Sequence, residues 1–364
     1  MDEIALLQGL VAIPSPSGQE AEAVTWLVDR MESLGLNAHV DEVGNAVGTV
    51  GTGPRQIMLL GHIDTVPGGP HPKIRDGRLY GRGAVDAKGP LAAFVMAVAG
   101  LAPAEGWQFV VVGAVEEEAA TSRGARHVAQ TYRPDFCIVG EPSGWDAITL
   151  GYKGRLLLDY ECRQPTAHTA GPARAVAEHA VSYWNAVVAY AERFNQGRQG
   201  TFHRLQPSLR HIETCREGDE DVVRATFAFR LPPGLSPTTL RRDLQALNPN
   251  GGCLSFRGAE PAFVADRRTP LTRAFLHAIR RAGGTPRFKV KTGTSDMNVV
   301  GPAWQCPIVA YGPGDSRLDH TPDEYIELDE YRRGIAVLRA ALEHLIAGEL
   351  SRPAPAAARC GEGA

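Results

Sequence analysis

The sequence predicts an α/β protein in which a mostly parallel, twisted sheet is flanked by helices and carries an inserted α+β unit. Apolar runs such as residues 107–115 lack the alternation of a half-exposed strand, which indicates strands buried on both faces. These runs alternate along the chain with segments of helical periodicity, as expected for helices packed on a sheet. Between residues 155 and 256 the predicted order becomes strand, helix, two strands, helix and strand, which is the ferredoxin-like arrangement.

The chain of 364 residues is longer than a single hydrophobic core usually supports, so the sequence predicts two domains. We assign the first domain to residues 1–154 together with 264–350, and the second, inserted domain to residues 155–263. The last segment, residues 351–364, is rich in Ala, Pro and Gly and is predicted to be disordered.

Composition and charge exclude several classes of function. The net charge is −3, from 38 basic and 41 acidic residues, and gives no sign of nucleic acid as a partner. No apolar run approaches the roughly 18 residues of a membrane helix, and the amino terminus lacks the basic start of a signal peptide. We therefore expect a cytoplasmic protein that binds neither nucleic acid nor membrane. The six cysteines are scattered singly, so any metal must be bound by oxygen and imidazole.

The elements of the first domain are predicted from apolar periodicity and from the residues that start and stop each run. Ser17-Gly18-Gln19-Glu20 matches a capping box and predicts a helix that continues to about Leu34 and ends at Gly35. Pro90 falls in the first turn of an alanine-rich helix, where its missing N–H costs nothing. The predicted helices cover residues 4–11, 17–34, 90–101 and 124–131, and the predicted strands cover 40–50, 56–60, 107–115 and 136–139.

The inserted domain and the returning chain have equally clear patterns. The insertion is predicted to contain strands at 155–162, 209–215, 222–231 and 253–256, and helices at 173–194 and 236–247. Beyond it the first architecture returns, with a helix at 271–282, a strand at 308–311 and a closing helix at 328–346. The insertion therefore interrupts the first domain, and the elements that follow the insertion complete that domain.

The apolar strand predicted at residues 56–60 leads directly into His62 and Asp64. Residues two apart in a strand point the same way, so both side chains lean to one side where the strand ends. Pro67 and the following Gly68-Gly69-Pro70 prevent its continuation. An imidazole beside a carboxylate at a strand end is suited to hold a metal ion. A lone histidine in this position is more often a satisfied imidazole, so the hypothesis depends on further motifs.

Four further polar motifs end or follow apolar runs. They are Gly81-Arg82-Gly83-Ala84-Val85-Asp86-Ala87-Lys88-Gly89, Glu116-Glu117-Glu118, Gly140-Glu141-Pro142 and Asp319-His320-Thr321-Pro322. In this order, and together with the His62 motif, they resemble the co-catalytic zinc exopeptidase and aminoacylase family. That family includes acetylornithine deacetylase, succinyl-diaminopimelate desuccinylase and carboxypeptidase G. The resemblance extends over nearly the whole chain, to about residue 348.

The resemblance implies a zinc-exopeptidase-like catalytic domain with two Zn²⁺ ions per subunit, for which Co²⁺ is a substitute. Two such ions need oxygen and imidazole ligands, at least one of them shared, and together they polarise one water. The implied ligands are His62 and Glu141 for one ion, Glu118 and His320 for the other, and Asp86 as the bridge. Asp64 is implied to hold the His62 imidazole in its metal-binding tautomer.

The run Glu116-Glu117-Glu118 leaves the register of base and ligand open. Three adjacent carboxylates on a surface helix would be interpreted as a solvated charge run, but here they follow a buried strand. The family's Asp-Glu-Glu pattern implies Glu117 as catalytic base and Glu118 as ligand, with Glu116 at the position of the Asp. A slip by one residue would instead make Glu116 the base and Glu117 the ligand.

Two residues of the inserted domain are implied to take part in the site. His168 lies in a motif whose histidine, in relatives, reaches from the lid of the other subunit to stabilise the oxyanion. The inserted domain is thus implied to be a lid through which the chain forms a homodimer. Arg230 matches a lid arginine that binds substrate carboxylate in relatives. Taken alone, a capping or surface role for His168 and a surface salt bridge for Arg230 remain alternatives.

Two short segments indicate the substrate, Gly151-Tyr152-Lys153-Gly154-Arg155 and the run from Lys291 to Asn298. They look most like the lysine-biosynthetic branch of the family, which releases lysine from the acidic amino-group carrier protein LysW, with related enzymes releasing ornithine. An acidic carrier requires a local basic patch. The candidates near the expected site mouth are Lys153, Arg155, Arg174, Lys289 and Lys291.

Other substrates remain open at this point. The alternatives are a deacetylase of N-acetylornithine or N-acetyl-lysine, and a dipeptidase or carboxypeptidase of the same family, since one fold and metal site serve many amides. A metal-free binding protein is an alternative from a different class, but the complete set of ligand residues argues against it.

Overall fold

The computed structural model describes residues 2–102, 104–168, 170–248 and 251–350. The predicted disordered tail at 351–364 lies outside the described residues, as does Thr169 of the lid motif. The α-helices of the described chain are α1 (Glu3–Ala12), α2 (Ala21–Ser33), α3 (Lys88–Val98), α4 (Arg123–Thr131), α5 (Val176–Phe194), α6 (Pro237–Ala246), α7 (Pro270–Arg281), α8 (Met297–Trp304) and α9 (Leu328–Leu350).

The strands of the described chain belong to both domains and lie between these helices along the sequence. They are β1 (Asn37–Val40), β2 (Ala46–Gly51), β3 (Arg55–His62), β4 (Lys73–Arg75), β5 (Arg78–Tyr80), β6 (Trp107–Ala114), β7 (Phe136–Gly140), β8 (Ala147–Tyr152), β9 (Gly154–Pro165), β10 (Gln206–Glu217), β11 (Glu220–Leu231), β12 (Cys253–Glu260), β13 (Phe263–Val264), β14 (Arg287–Lys291), β15 (Ile308–Tyr311) and β16 (Tyr325–Glu327).

The first sheet, called the main sheet below, is mixed. Its order in the described chain is β1-β2-β6-β3-β7-β15-β8-β13, and β14 also pairs with β8. The central strands β6, β3, β7 and β15 run parallel to one another. Antiparallel pairs extend the sheet at both edges. The predicted α/β architecture is confirmed, and its parallel part is the buried centre of the sheet.

Helix α3 lies close against the centre of the main sheet because two glycines leave room for it. Gly61 of β3 and Gly113 of β6 face each other in the strand register. A Cβ atom added to Gly61 or Gly113 would come within 3.2 Å or 3.1 Å, respectively, of the buried Leu91 side chain of α3. This approach brings Asp86, just before α3, to the end of β3 where His62 lies.

The second sheet, called the lid sheet below, has the order β10-β11-β9-β12 with every pair antiparallel. Its chain order, β9-α5-β10-β11-α6-β12, is the predicted ferredoxin-like arrangement. The lid sheet and its helices enclose a separate apolar core that includes Tyr183 and Phe227. Where β10 pairs with β11 the register shifts between Leu209 and His211, so Arg210 is the extra residue of a β-bulge.

Several predicted boundaries in the first domain are wrong for local reasons. The single strand predicted at residues 40–50 is the hairpin β1–β2, whose turn is closed by hydrogen bonds from the N–H groups of Val43 and Asn45 to Asp41. The capping box is not formed, because α2 begins at Ala21 and the Ser17 hydroxyl donates to Asp64 instead. The described elements absent from the prediction are β4, β5, β8, β13, β14, β16 and α8.

None of the described helices is long and apolar enough to cross a lipid bilayer. The five cysteines of the described chain are free thiols, of which Cys137 and Cys162 are buried, whereas Cys215 and Cys253 are exposed. None of these five thiols lines the cavity at the ends of the central strands.

Candidate active site

A carboxylate lies between two imidazoles at the ends of the central strands. His62 ends β3, Asp86 immediately precedes α3, and His320 lies between β15 and β16. Oδ1 of Asp86 is 3.2 Å from Nε2 of His62, and its Oδ2 is 3.1 Å from Nε2 of His320. Asp86 therefore presents one oxygen to each ring, as a carboxylate shared between two metal ions must.

The His62 ring is fixed through its other nitrogen. The side chain is 2% exposed, and its Nδ1 is 3.0 Å from the main-chain oxygen of Asp64 but 3.5 Å from the Asp64 carboxylate. A carbonyl oxygen can only accept, so Nδ1 carries a hydrogen, and Nε2 is the ring nitrogen that faces Asp86. Asp64 thus orients His62, and the shorter contact is made by its carbonyl group.

The second imidazole contacts a further carboxylate. Oε1 of Glu118 is 2.7 Å from Nε2 of His320. Within the described chain, Asp86, Glu118 and His320 offer ligand atoms that all lie within 4.8 Å of one another, close enough to hold a metal ion. Glu141, which follows β7, is buried, and its Oε2 is 3.9 Å from Nζ of Lys291. His62 and Glu141 lie outside that group of three.

The three glutamates after β6 point in different directions because the backbone turns sharply at the first of them. Glu116 has a φ of +60°, its carboxylate is 2.8 Å from the Arg123 guanidinium, and it accepts a hydrogen bond from Thr121. Glu117 and Glu118 line the cavity at the strand ends, and Glu116 does not. The turn thus separates one glutamate, paired with an arginine, from the two that face the ligand group.

The Asp64 carboxylate holds this turn in place. It is fully buried, and it accepts hydrogen bonds of 3.0 Å each from the N–H groups of Glu117 and Glu118. The Ser17 hydroxyl donates a third hydrogen bond of 2.7 Å. A fixed buried acceptor of this kind sets the position of both glutamate backbones relative to His62.

A second buried carboxylate, which the sequence analysis missed, holds the Asp86 segment. Glu324 is fully buried and accepts hydrogen bonds from the N–H groups of Val85 at 2.9 Å and Asp86 at 3.1 Å. It also pairs with Arg82 at 2.6 Å, and Arg82 donates to the main-chain oxygen of His320 at 3.4 Å. The only sequence signal is spacing, since Arg82 precedes Asp86 by four residues and Glu324 follows His320 by four.

The crowding of carboxylates shifts their pKa values. Burial raises the pKa of Glu117 well above its ordinary value, against the opposing effect of His62, and the Glu141 charge raises it further. Burial also raises the pKa of Glu141 to about 7. Hydrogen bonds to Asp86 and Glu118 raise the pKa of His320 to about 10. The site therefore gathers more negative charge than its own side chains neutralise, which favours a bound cation.

A cavity of about 660 Å³ opens onto these groups, and the two sheets line it with opposite charges. The side that follows the strands of the main sheet is called the acidic wall, and it contains Asp86, Glu117, Glu118, Glu141, Asp319 and His320. The strands of the lid sheet contribute the arginine wall, which consists of Arg155 on β9, Arg210 on β10 and Arg230 on β11.

His168 lies elsewhere in its own chain. It lines a second cavity, of about 630 Å³, together with Arg174, which lies just before α5, and Cys215 of β10. Its Nδ1 accepts a hydrogen bond of 3.1 Å from the N–H of Ala170. Within one chain the structure therefore does not bring His168 to the acidic wall.

The structure places the five basic residues predicted at the site mouth in different surroundings. Arg155 and Lys291 line the cavity. Lys153 is fully buried and donates to main-chain carbonyl groups, so the prediction that it meets a carrier protein is wrong. Arg174 lines the second cavity, and Lys289 donates to a main-chain oxygen next to the site.

An α/β sheet that holds a carboxylate between two imidazoles, with further carboxylates beside them, defines a metal-dependent hydrolase. The sequence profile of Peptidase family M20/M25/M40 matches residues 58–344. The chain belongs to this family and is a hydrolase of amide bonds. The resemblance inferred from the motifs is confirmed.

Relatives and solved structures that match the chain cover almost all of it. The LysW-lysine hydrolase of Deinococcus radiodurans is 46% identical over 350 residues, which cover 94% of this chain and 97% of that protein. The LysW-lysine/LysW-ornithine hydrolase of Saccharolobus solfataricus is 31% identical, with 93% and 95% covered. The structure of an M20 family metallo-carboxypeptidase from Sulfolobus solfataricus has a TM-score of 0.79 at 18% identity, over 95% of this chain and 100% of that one, and shows the same fold.

Proposed function

We propose that the chain hydrolyses the amide bond that joins lysine, or ornithine, to the amino-group carrier protein LysW. The observation that carries the proposal is the Asp86 carboxylate between His62 and His320, in a chain that is 46% identical to a LysW-lysine hydrolase. The released amino acid would be a product of lysine or arginine biosynthesis. We place the reaction in the cytoplasm, as the composition predicts.

The donor groups fit two Zn²⁺ ions per subunit, with Co²⁺ as a substitute, because imidazole and carboxylate are the ligands of catalytic zinc. We assign His62 and Glu141 to one ion, Glu118 and His320 to the other, and Asp86 to both. The raised pKa values of Glu117 and Glu141 support this fit, since burial and, to a lesser extent, neighbouring carboxylates raise them, and bound cations would favour the ionised forms. When bound, the ions would polarise a water molecule and the substrate carbonyl.

Glu117 is the residue that we assign as general base. It lies in the cavity beside Glu118, whereas Glu116 is paired with Arg123, which supports this register over the slipped one. Its carboxylate would accept a proton from water. The same carboxyl group then donates that proton to the departing amine.

We further propose a homodimer formed through the lid domains, in which His168 acts in the active site of the partner subunit. Two observations support this. His168 lines a different cavity within its own chain. Strand β10 is an edge of the lid sheet and is exposed over residues 208–217, which leaves backbone groups available for pairing with a second copy. Arg230, in the arginine wall, would bind a substrate carboxylate.

The proposed substrate is tested by comparing kcat/KM of the metal-loaded protein for LysW-linked lysine, LysW-linked ornithine, N-acetyl-lysine, N-acetylornithine and simple dipeptides. We expect the LysW-linked amino acids to be preferred. A clear preference for an acetylated amino acid would indicate an ordinary deacetylase, and a preference for dipeptides would indicate a peptidase. Metal analysis of the purified protein separates all of these from a metal-free binding protein.

Salt dependence provides a second test of the carrier protein. Exposed charges are screened over roughly 8–10 Å at physiological ionic strength. If Arg155 and Lys291 at the cavity attract an acidic carrier, added salt should raise KM for LysW-linked lysine markedly and KM for N-acetyl-lysine much less. Equal salt sensitivity of the two substrates would contradict recognition of an acidic protein.

A further inference from the structure

Strand β14 forms an edge of the main sheet beside the cavity. Thr149 of β8 pairs with both Ala310 of β15 and Lys289 of β14. A strand residue has one partner on each side, so β14 lies on the side of β8 that is opposite β15. No other strand of the described chain pairs with β14. Its outer edge is therefore a row of main-chain groups that can pair with a further strand.

The main-chain groups of Phe288 and Val290 face this outer edge. The N–H of Arg287 and the main-chain oxygen of Lys291 form hydrogen bonds of 3.1 Å and 3.3 Å to residues that flank β8. Successive residues of a strand direct their main-chain groups to alternate sides, so those of Phe288 and Val290 point away from β8. Neither residue has a main-chain hydrogen bond to a described residue outside the ladder with β8. Each thus offers an N–H and a carbonyl oxygen to an added strand.

The side chains of β14 present a different chemistry on each face of the sheet. Phe288 and Val290 share one face and are exposed. Arg287, Lys289 and Lys291 share the other face. Arg287 is paired with a carboxylate at 2.6 Å, Lys291 has one only at 3.9 Å, and Lys289 has no ion pair within the described chain. A strand that complements both faces would alternate apolar residues with acidic ones.

Strand β14 also leads into the cavity. Val290 and Lys291 belong both to the strand and to the cavity lining, which continues through Thr292, Gly293 and Thr294. A segment extended along the outer edge of β14 would therefore have one end at the cavity. The five residues of β14 span roughly 17 Å, which sets the length of chain that can pair with them.

We propose that the outer edge of β14 binds an extended segment of the carrier protein by strand addition, and that acidic and apolar residues alternate in this segment. The inference rests on the proposed hydrolysis of an amide on a protein carrier. Main-chain pairing would supply affinity, and the alternating side chains would supply selectivity. N-acetyl-lysine has no main chain beyond its acyl group to pair with β14. Strand addition would therefore favour the carrier-bound amino acid over the free acetylated one.

Peptides that differ only in the position of their N-methyl groups test the pairing. The probe is Glu-Val-Glu-Val-Glu-Val with a fluorescent label and an amidated end, and its Kd for the wild-type protein is measured by fluorescence anisotropy. Every second N–H of an added strand faces β14, so methylation of the three valines and of the three glutamates should differ in effect. The set that faces β14 should weaken binding by about 10–100-fold, and the other set by less than about threefold. Both methylated peptides keep the charge of the probe, so electrostatic attraction alone would affect them equally.

Phe288→Pro tests the same edge from the side of the protein. It removes an N–H that faces away from β8, and proline is tolerated at such positions of edge strands. The ratio of kcat/KM for LysW-linked lysine to kcat/KM for N-acetyl-lysine should fall by about tenfold.

Val40→Pro is the matched control and should keep the wild-type ratio. Val40 is 47% exposed, against 44% for Phe288, and lies on β1 at the opposite edge of the main sheet. The N–H of the next residue, Asp41, donates to Asn45, so the N–H of Val40 faces outwards. If Phe288→Pro does not fold, the methylated peptides decide, since they require only the wild-type protein.

The outcomes separate failure of this edge from failure of the proposed hydrolysis. A difference between the two methylated peptides would support strand addition even if the protein hydrolysed no LysW-linked lysine. Hydrolysis of that substrate with an equal effect of both methylation patterns, or with no binding of the unmethylated peptide, would leave the activity standing and overturn strand addition. A dimer that is lost in Phe288→Pro while the kcat/KM ratio is unchanged would also overturn it, and would assign the edge to a second copy of the chain.

Discussion

The two sides of the cavity are built in opposite ways. Behind the acidic wall, the side chains of His62 and Asp64 are almost completely buried, and each contacts a defined partner. On the arginine wall, Arg210 is exposed without a hydrogen bond, and Arg230 has one uncharged acceptor. The proposed metal ligands must keep one geometry, and buried groups hold them in place. Groups that recognise a substrate are instead completed by that substrate.

The acidic wall also depends on buried carboxylates that are not themselves assigned as metal ligands. Asp64 holds the backbone of Glu117 and Glu118, and Glu324 holds the backbone of Asp86. In the lid sheet the buried Glu260 stands opposite Arg155, but its carboxylate pairs with Arg126. The difference indicates that substitutions behind the acidic wall should weaken metal binding and lower kcat. Substitutions in the arginine wall should change substrate selectivity while leaving the fold intact.

Removal of a ligand should have the largest effect. His320→Ala and Glu118→Ala should each reduce hydrolysis below detection, because both side chains belong to the group that can hold a metal ion. The protein should still fold, since the His320 side chain is 47% exposed and supports no apolar core. Activity, metal content and circular dichroism are the measurements. Near-normal turnover in either variant would contradict the ligand assignment.

Replacement of the base tests the register of the three glutamates. Glu117→Gln should retain metal and lower kcat by about 10²–10⁴-fold, since the amide has the shape of the carboxylate but accepts no proton. Glu116→Gln is the matched control and should be much milder, because Glu116 faces Arg123 outside the cavity. The reverse ranking of the two kcat values would support Glu116 as the base.

The support behind the acidic wall is tested at Glu324. Glu324→Gln should weaken metal binding and lower kcat by about 10–100-fold, as is typical when a group that supports a metal ligand is lost. The exposed Glu327→Gln, which loses only the pair with Arg78 at 2.7 Å, should leave both unchanged. Metal affinity is measured by competition with a chelator of known affinity. A lower melting temperature with unchanged metal affinity would show that Glu324 supports only the fold.

A fourth experiment asks whether the lid completes the site in trans. His168→Ala and Glu117→Gln should each be inactive, and a mixture of the two should recover up to about a quarter of wild-type activity if subunits exchange freely in a dimer. The recovery arises because half of the dimers would then contain one site with both groups intact. No recovery after subunit exchange has been verified, for example by native mass spectrometry, would contradict the action of His168 across the interface.

Elements with a strong local signal could be predicted from the sequence. The buried strand β6 and the long helix α9 follow from continuous apolar runs and helical periodicity. The short strands β4, β5 and β16 have no such signal, because they pair with one another in a small separate sheet. The capping box at Ser17 was wrong because a tertiary hydrogen bond to Asp64 uses the hydroxyl group that the local motif would need.

Part of the site could likewise be predicted from the sequence, and part could not. The structure brings His62, Asp86 and His320 together as their positions at the ends of apolar runs suggested. The directions of three identical glutamates could not follow from sequence, because they depend on a backbone turn with a positive φ at Glu116. Arg210 was missed because its place beside Arg230 depends on the pairing of β10 with β11, which no motif of the sequence indicates.

The order of the proposed ligands along the chain determines when the site can form. Glu141 is synthesised before the lid domain, whereas His320 and the Glu324 carboxylate that holds Asp86 come after it. At the usual rate of translation, about 10–40 s separate Glu141 from Glu324. We expect chains that end before residue 320 to retain no tightly bound zinc, which metal analysis of such a truncated protein would check. Metal uptake would then follow completion of synthesis, and interrupted chains would not compete for the zinc supply of the cell.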